Sequence, residues 1–345
     1  MREVVGNRHA QELLERAIRT NRVSHAYLLT GPAGIGKTTL ALAVARVLQC
    51  TGRNLAEIEA CGECAACQRI AHGNHPDVAV VEPPEGKRWL PIESIRELQR
   101  AANLAPYEGR WRVIVLPEAE RMAAEAVNAL LKTLEEPPER VVLILTTGDP
   151  DLLLPTVVSR CQLIPMRPLA VEEIRAALLE RWGADDTEAT ALAGLAGGRL
   201  GWAVEAHRRP ELRERRDALL TRIVALADAP AHERMRLAGA LASDTEAARS
   251  AVECWALWWH DALLASMGSD RLTTAGAART AAERLGRALR PERAEAFLRR
   301  LVETHQQLDQ NANPRLALEV LALDYPEADS GARPPRAPDR TPTRR

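Results

Sequence analysis

The loop GPAGIGKT, at residues 31–38, limits the fold of this chain more than any other segment. It fits the pattern G-x-x-x-x-G-K-[ST], in which backbone N–H groups and the lysine bind phosphate oxygens and the hydroxyl ligates Mg²⁺. The apolar run AYLLT precedes the loop, and a helical pattern from Thr38 to Leu48 follows it. This order favours a nucleotide site in a parallel sheet over a plain turn that caps a helix. The candidate nucleotide-binding residues of the loop are Gly31, Ala33, Gly34, Gly36, Lys37, Thr38 and Thr39.

Three further apolar runs, each followed by a helical pattern, continue this arrangement to about Met166. They are DVAVVE, RVIVL and VVLILTT. Such alternation predicts parallel strands covered by helices. After residue 166 the strand signals stop, and the patterns are helical to about Asp324. The predicted fold is therefore α/β followed by all-α.

Composition and charge narrow the class of protein. The chain has 345 residues, of which 46% are hydrophobic and 27% charged, as in a globular protein of two or three domains. No apolar run reaches the roughly 18 residues of a membrane helix, and the polar start MREVVGNRHA has no secretory core, so we expect a cytoplasmic protein with no membrane contact. The net charge of -1 limits any nucleic-acid contact to a local patch. Residues 326–345 form a basic segment that we expect to be disordered; its arginines, from Arg333 to Arg345, either touch nucleic acid or are simply solvated.

Four of the six cysteines follow the spacing C-x10-C-x2-C-x2-C, and they are Cys50, Cys61, Cys64 and Cys67. Four thiolates are the ligand set of a closed, structural Zn²⁺ site. Disulfides are the alternative, which a cytoplasmic location disfavours. His72 and His75 lie nearby and could substitute as ligands, but with four cysteines available we expect them to be ordinary loop residues. Cys254 is expected to lie in a helical core.

The segment NALLKTLEEPPERVVLILTTGDPDLLLPTVVSRC, from Asn128 to Cys161, strongly resembles bacterial DNA polymerase III clamp-loader subunits of the AAA+ class. With the phosphate loop, the cysteine module and NANPRLALEVLAL near residues 311–323, the resemblance is to the delta-prime type, a sibling of gamma/tau. It implies a RecA-like domain at 1–166 with a zinc module at about 50–72, a helical lid at 167–208 and a helical collar domain at 209–325. It also implies a clamp loader that uses ATP to place the sliding clamp on primed DNA, with gamma/tau and delta subunits as partners.

The same resemblance implies roles for single residues. Arg160, in the segment SRC, matches an arginine that projects into the ATP site of the neighbouring subunit, although an ordinary surface arginine is the alternative. Glu118 stands where the family places its water-orienting carboxylate. Thr146 or Thr147 matches the position that senses the γ-phosphate, and we assign Thr147 to the site.

Two departures from the family pattern argue against hydrolysis. Pro117 replaces the aspartate that holds Mg²⁺, and proline supplies no oxygen ligand from its side chain. Gly201 stands where ATPase siblings carry a phosphate-sensing lid arginine, with Arg199 two positions away. The chain is therefore expected to bind ATP or ADP, with Mg²⁺ uncertain, and to hydrolyse little.

Two other functions remain open from the sequence. One is a gamma/tau-type motor subunit in which Glu118 or Glu120 takes over the metal. The other is a nucleotide-free AAA+ scaffold. The stripe of Trp255, Trp258 and Trp259 lies on one helical face, which is either core or subunit interface.

Overall fold

A computed structural model describes residues 1, 3–52, 58–85, 87, 89–269, 272–274, 276–310 and 312–326. The chain divides into two compact units. The first unit comprises Met1–Ala189 and Gly198–Val204, and the second comprises Thr190–Gly197 and the chain from Glu205 onward. The finer division into sheet domain, lid and collar stays a prediction, and nearly all of the basic tail, residues 327–345, lies outside the described residues.

The first unit is built on a parallel sheet, which confirms the predicted α/β class. Its strands are β1 (Ala26–Thr30), β2 (Val78–Val80), β3 (Arg112–Leu116), β4 (Val141–Thr147) and β5 (Gln162–Pro165). They lie in the order β2-β3-β4-β1-β5. The sequence patterns predicted the first four strands and missed β5. That strand is short, and only Ile164 of its residues is buried, so its hydrophobic pattern is weak.

The register of the strands brings their carboxyl ends to one edge of the sheet. Thr30 of β1 lies beside Thr147 of β4, and Leu116 of β3 lies beside Leu145. The segments that follow β1, β3 and β4 therefore meet, as is usual for ligand sites of open parallel sheets.

Helices cover both faces of this sheet. Tyr27 and Leu29 of β1 join one buried cluster, and Ala26 and Leu28 join the other, because successive side chains point to opposite faces. The helices of this part are α1 (Arg8–Arg19), α2 (Lys37–Gln49), α3 (Ala65–Ala71), α4 (Ile92–Ala102), α5 (Ala124–Glu135), α6 (Pro155–Val158) and α7 (Val171–Ala177).

The rest of the described chain is helical, as predicted. Its helices are α8 (Asp186–Leu195), α9 (Leu200–Arg208), α10 (Pro210–Asp228), α11 (Ala231–Gly239), α12 (Thr245–Ser266), α13 (Gly276–Ala288), α14 (Pro291–Asp309) and α15 (Pro314–Leu323). Within the described residues, none of the helices is long and apolar enough to span a bilayer.

The tryptophan stripe of α12 forms the core of the second unit. Trp255, Trp258 and Trp259 are fully buried, which confirms the core interpretation. The Trp259 ring lies 4.4 Å from that of Phe297 and 5.0 Å from that of Tyr325, centroid to centroid. Its indole N–H donates to the carbonyl oxygen of Ala294 at 2.8 Å, so the one polar atom of the ring is satisfied.

We expect Trp259→Ala to lower the free energy of unfolding by about 3–5 kcal/mol, because it leaves a large cavity. Urea unfolding followed by far-UV circular dichroism measures the change. Leu316→Ala is the control: this side chain is 60% exposed, and its loss should cost no more than about 0.5 kcal/mol. Equal losses for the two variants would contradict the assignment of Trp259 to the core.

Candidate functional site

The phosphate loop connects β1 to α2, as predicted. Gly36, the residue before α2, has a φ of 97°, in the left-handed region that favours glycine. Lys37 begins the helix and is buried. Its ammonium donates to the carbonyl oxygens of Gly31 and Pro32, at 2.5 and 2.8 Å. Burial lowers the pKa of Lys37, and the carboxylates of Glu120 and Glu118 oppose this shift.

A cavity of about 230 Å³ lies beside this loop. Its wall is formed by Ala33, Gly34, Gly36, Lys37, Thr38, Thr39, Glu118, Glu120, Thr146, Gly148 and Gly201. Six predicted loop residues and Glu118 therefore come together around one space. The seventh loop residue, Gly31, contributes its carbonyl oxygen to Lys37.

The two threonines that end β4 have different environments. Thr146 lines the cavity, and its hydroxyl accepts a hydrogen bond from the N–H of Glu118 at 3.1 Å. Thr147 is fully buried, and its hydroxyl donates to the carbonyl oxygen of Asp149 at 2.8 Å. The geometry therefore favours Thr146 over Thr147 as a phosphate contact. Sequence alone did not separate these neighbours, because both are threonines at the end of a strand.

The segment after β3 places two glutamates at the cavity, after the residue where the family has its metal ligand. Glu118 has a φ of 48°, and its half-exposed carboxylate pairs with Arg121 at 2.8 Å. Glu120 lies in the 3-10 turn Ala119–Arg121, and its Oε1 accepts from the N–H of Gly148 at 2.9 Å. Its Oε2 is buried and has no hydrogen-bond partner among the described residues. The family pattern drew attention to Glu118, whereas the structure shows that Glu120 is the more enclosed carboxylate.

Gly201, at the position predicted to lack the lid arginine, lies directly against the phosphate loop. Its N–H donates to the carbonyl oxygen of Gly34 at 2.7 Å. A Cβ atom at this position would lie 2.9 Å from that oxygen, so any larger residue requires the backbone to shift. Arg199 also lies close, because a Cβ atom on Gly34 would meet its Cβ at 3.5 Å.

Arg160 follows α6 and lies at the surface, outside the wall of the described cavity. Its guanidinium pairs with the carboxylate of Glu135 at 2.7 Å and donates to the carbonyl oxygen of Thr156 at 2.9 Å. About a third of the side chain is exposed. Arg160 is thus held by contacts within its own chain while part of its side chain remains accessible. No pattern in the sequence predicted the contact with Glu135.

The four predicted cysteines form one cluster. Their sulfur atoms all lie within 4.8 Å of one another, and all four thiols are free. The Cys50 sulfur is 3.5 Å from that of Cys61 and 3.9 Å from that of Cys64. A tetrahedral site with metal–sulfur bonds of 2.3 Å has sulfur–sulfur edges of roughly 3.8 Å, so the group fits a metal ion.

The two histidines near this cluster have other partners. The Nδ1 of His75 accepts from the N–H of Asp77 at 3.1 Å, and its Nε2 lies 3.4 Å from the carboxylate of Glu108. His72 is exposed, with its Nδ1 2.7 Å from the carbonyl oxygen of Gln68. Among the described residues, the cluster that could hold a metal contains only the cysteines.

Comparison with known proteins shows what the first half of the chain resembles. The sequence model of the family described as DNA polymerase III, delta subunit, matches residues 6–170. This part of the chain, which is just under half of it, is therefore similar to subunits of DNA polymerase III. Over 138 residues the chain is 46% identical to the DNA polymerase III subunit delta' of Pseudomonas aeruginosa. This alignment covers 40% of this chain and 42% of that protein. Over 172 residues it is 35% identical to the subunit tau of Bacillus subtilis, covering 50% and 30%.

The alignments leave much of each relative unmatched: the chain spans less than half of the length of these two curated proteins. A gamma subunit-related protein of Thermotoga maritima aligns in structure over 90% of this chain and 96% of its own, with 17% identity and a TM-score of 0.44.

A buried carboxylate holds the loop at residues 107–109 near the helix that carries Cys67. Asp77 accepts hydrogen bonds from the backbone N–H groups of Tyr107, Glu108 and Gly109, at 2.6, 3.0 and 2.9 Å. Glu108 in turn pairs with Arg69 of α3 at 2.7 Å. The helix that carries Cys67 is therefore tied to this loop. The connection could not be predicted from the sequence, because the residues that form it are distant in the chain.

The pKa of Asp77 generates a pH-dependent prediction. Burial raises this pKa, but the hydrogen bonds from Glu108, Tyr107 and Gly109 and the charge of Arg112 outweigh burial and bring it below its ordinary value. The stabilisation is therefore present above the unfolded-state pKa of about 3.9 and is lost as the pH falls through the folded-state pKa.

We expect Asp77→Asn to lower the free energy of unfolding at pH 7 by about 1–3 kcal/mol, with a smaller difference from wild type near pH 3. Urea unfolding at both pH values tests this, with the exposed Asp151→Asn as the control that should behave like wild type. A loss for Asp77→Asn that does not change between pH 7 and 3 would show that the charge is unimportant.

Proposed function

We propose that this chain is a delta-prime-type subunit of a DNA polymerase III clamp loader that works in the cytoplasm. The observation that carries the proposal is a complete phosphate loop whose cavity lacks two groups needed for hydrolysis. Pro117 follows β3 in place of an aspartate, and Gly201 packs against Gly34 where a lid arginine would stand. Such a site binds nucleotide and contributes little to turnover.

The partners in this proposal are the gamma/tau and delta subunits, and through the complex the sliding clamp and primed DNA. The match of residues 6–170 to the family and the identities with delta' and tau proteins support this assignment. Arg160 supplies the contact with a neighbour: it enters the neighbour's ATP site and stabilises charge on the transferring phosphate. Its place outside the described cavity of its own chain supports this role.

Nucleotide binding, of ATP or ADP, rests on the loop residues and Lys37. A ligand that binds only the native state stabilises the fold even without hydrolysis. Thr146 is the γ-phosphate contact in this proposal, because Thr146 lines the cavity and the hydroxyl of Thr147 donates to Asp149.

The cysteine cluster holds a structural Zn²⁺ ion in this proposal. The four sulfur atoms leave no open coordination position, so the ion stabilises the module between α2 and β2 and takes no part in chemistry.

A gamma/tau-type motor is the second candidate function. The enclosed carboxylate of Glu120 in the cavity is the observation that favours it, because it offers a metal ligand that Pro117 does not. Rapid Mg²⁺-stimulated ATP hydrolysis by the isolated chain would decide for the motor.

Purified protein should contain one Zn²⁺ per chain, measured by atomic emission, and Cys64→Ser should lose the metal together with thermal stability. Cys161→Ser is the matched control, because this cysteine lies outside the cluster, and it should keep the metal. A metal-free wild-type protein prepared without chelator, with all thiols reactive, would rule out the zinc site.

Arg160→Ala should leave the chain folded, zinc-loaded and able to assemble, because the side chain lies at the surface. In the reconstituted clamp loader, the neighbouring ATP site should lose up to about 10³–10⁵ of its rate, as for other arginine fingers. DNA- and clamp-stimulated ATPase measures the loss, which will be smaller in total because other sites keep their own arginines.

Two control variants accompany the Arg160→Ala experiment. Glu136→Ala changes an exposed carboxylate next to Glu135 and should leave the rate unchanged. Lys37→Ala should also spare most of the rate, because the nucleotide bound here is not the one hydrolysed. If Lys37→Ala abolishes activity while Arg160→Ala matches wild type, the subunit is a motor and the delta-prime assignment is wrong.

A further inference from the structure

The charges around the cavity pose a problem for a bound nucleotide. Nucleotide phosphates carry several negative charges, and Lys37 is the only lysine of the cavity wall in the described chain. Two carboxylates, Glu118 and Glu120, face the same space. Phosphates and carboxylates repel each other at short range unless a cation lies between them.

The two carboxylates are not equivalent. Glu118 is half exposed and already has a cationic partner in Arg121. Glu120 has one oxygen fixed by the N–H of Gly148, while its other oxygen is enclosed and has no hydrogen-bond partner among the described residues. A buried carboxylate oxygen without a partner costs free energy until a hydrogen-bond donor or a metal ion contacts it.

The local backbone explains how Glu120 reaches this place. β3 ends at Leu116, Glu118 adopts the left-handed conformation, and a 3-10 turn follows at Ala119–Arg121. This turn directs the Glu120 side chain to the end of β4, where Gly148 follows Thr147. The carboxylate thus lies at the sheet edge although the residue that follows the strand is proline.

We propose that Glu120, through Oε2, is the carboxylate ligand of a divalent cation that enters with the nucleotide, with the Thr38 hydroxyl as its second protein ligand. Mg²⁺ commonly takes one or two carboxylates, phosphate oxygens and several waters, which the open side of the cavity admits. This inference rests on the proposed binding of nucleotide. If so, the site binds the complex of nucleotide and metal ion in preference to the metal-free nucleotide.

The test measures ADP affinity of the purified full-length chain by isothermal titration calorimetry, without Mg²⁺ and with millimolar Mg²⁺. Chelators are left out so that the cysteine site is not disturbed. Wild type should bind ADP more tightly with Mg²⁺ than without it, by about tenfold or more. Mutation of groups that support a metal site typically changes metal affinity on this scale. Mn²⁺ in place of Mg²⁺ gives a direct second readout, because its electron paramagnetic resonance signal changes when the ion is bound together with ADP.

Glu120→Gln and Glu125→Gln are the matched variants. Glu120→Gln should lose the Mg²⁺ enhancement and the bound Mn²⁺ signal, while its affinity for ADP without Mg²⁺ stays equal or rises, because a repelling charge is removed. Its amide oxygen can still accept from Gly148, so circular dichroism and zinc content should match wild type. Glu125→Gln changes an exposed carboxylate outside the cavity wall and should keep the full enhancement.

Distinct results would overturn the inference and the function on which it rests. If Glu120→Gln keeps the Mg²⁺ enhancement, or if wild type binds ADP without any enhancement, Glu120 is not the ligand and nucleotide binding still stands. If neither ADP nor ATP binds and Lys37→Ala changes nothing, the nucleotide site itself is wrong. Assembly with the other subunits is measured separately and depends on none of these results.

Discussion

Parallel pairing of β1, β3 and β4 in one register is the constraint on which the candidate site depends. It brings the ends of three distant segments, Thr30, Leu116 and Thr147, to one edge of the sheet. Each segment then delivers a different chemical group there: backbone N–H groups and a lysine after β1, carboxylates after β3, and a hydroxyl at the end of β4. A slip of one residue in any strand would turn these side chains to the opposite face.

Two residues at the cavity depart from the pattern that the resemblance implies for a hydrolytic site. Proline at 117 removes an oxygen ligand but leaves β3 intact, because it lies just after the last strand residue. Glycine at 201 permits an N–H contact with Gly34 that a side chain would block. In the proposed function, the sheet keeps the shape of a phosphate site without the aspartate and the lid arginine, so that nucleotide binding persists where turnover does not.

The structural features that could be predicted from the sequence are those encoded by short, contiguous residue patterns. The phosphate loop, the cysteine spacing and the alternation of the first four strands each lie within one segment, and local physics decides them. Glu120 facing Gly148, Asp77 holding residues 107–109 and Glu135 pairing with Arg160 join segments that only the tertiary fold brings together. Strand β5 was missed for a related reason: as a short edge strand it buries one residue, and neighbouring β1 specifies its place.

Helix α2 connects the two candidate sites of the first unit. It begins at Lys37 in the phosphate loop, and Cys50 of the cysteine cluster directly follows its last residue. Thirteen residues make a rod of roughly 20 Å, so the sites are separate in space but share one rigid element. Buried residues such as Leu40, Val44 and Leu48 hold the rod against the sheet along its length. The metal ion that we propose for the cysteine cluster would fix the position of the module at the carboxyl end of this helix. The phosphate loop is held by its own contacts with Thr147 and Gly201.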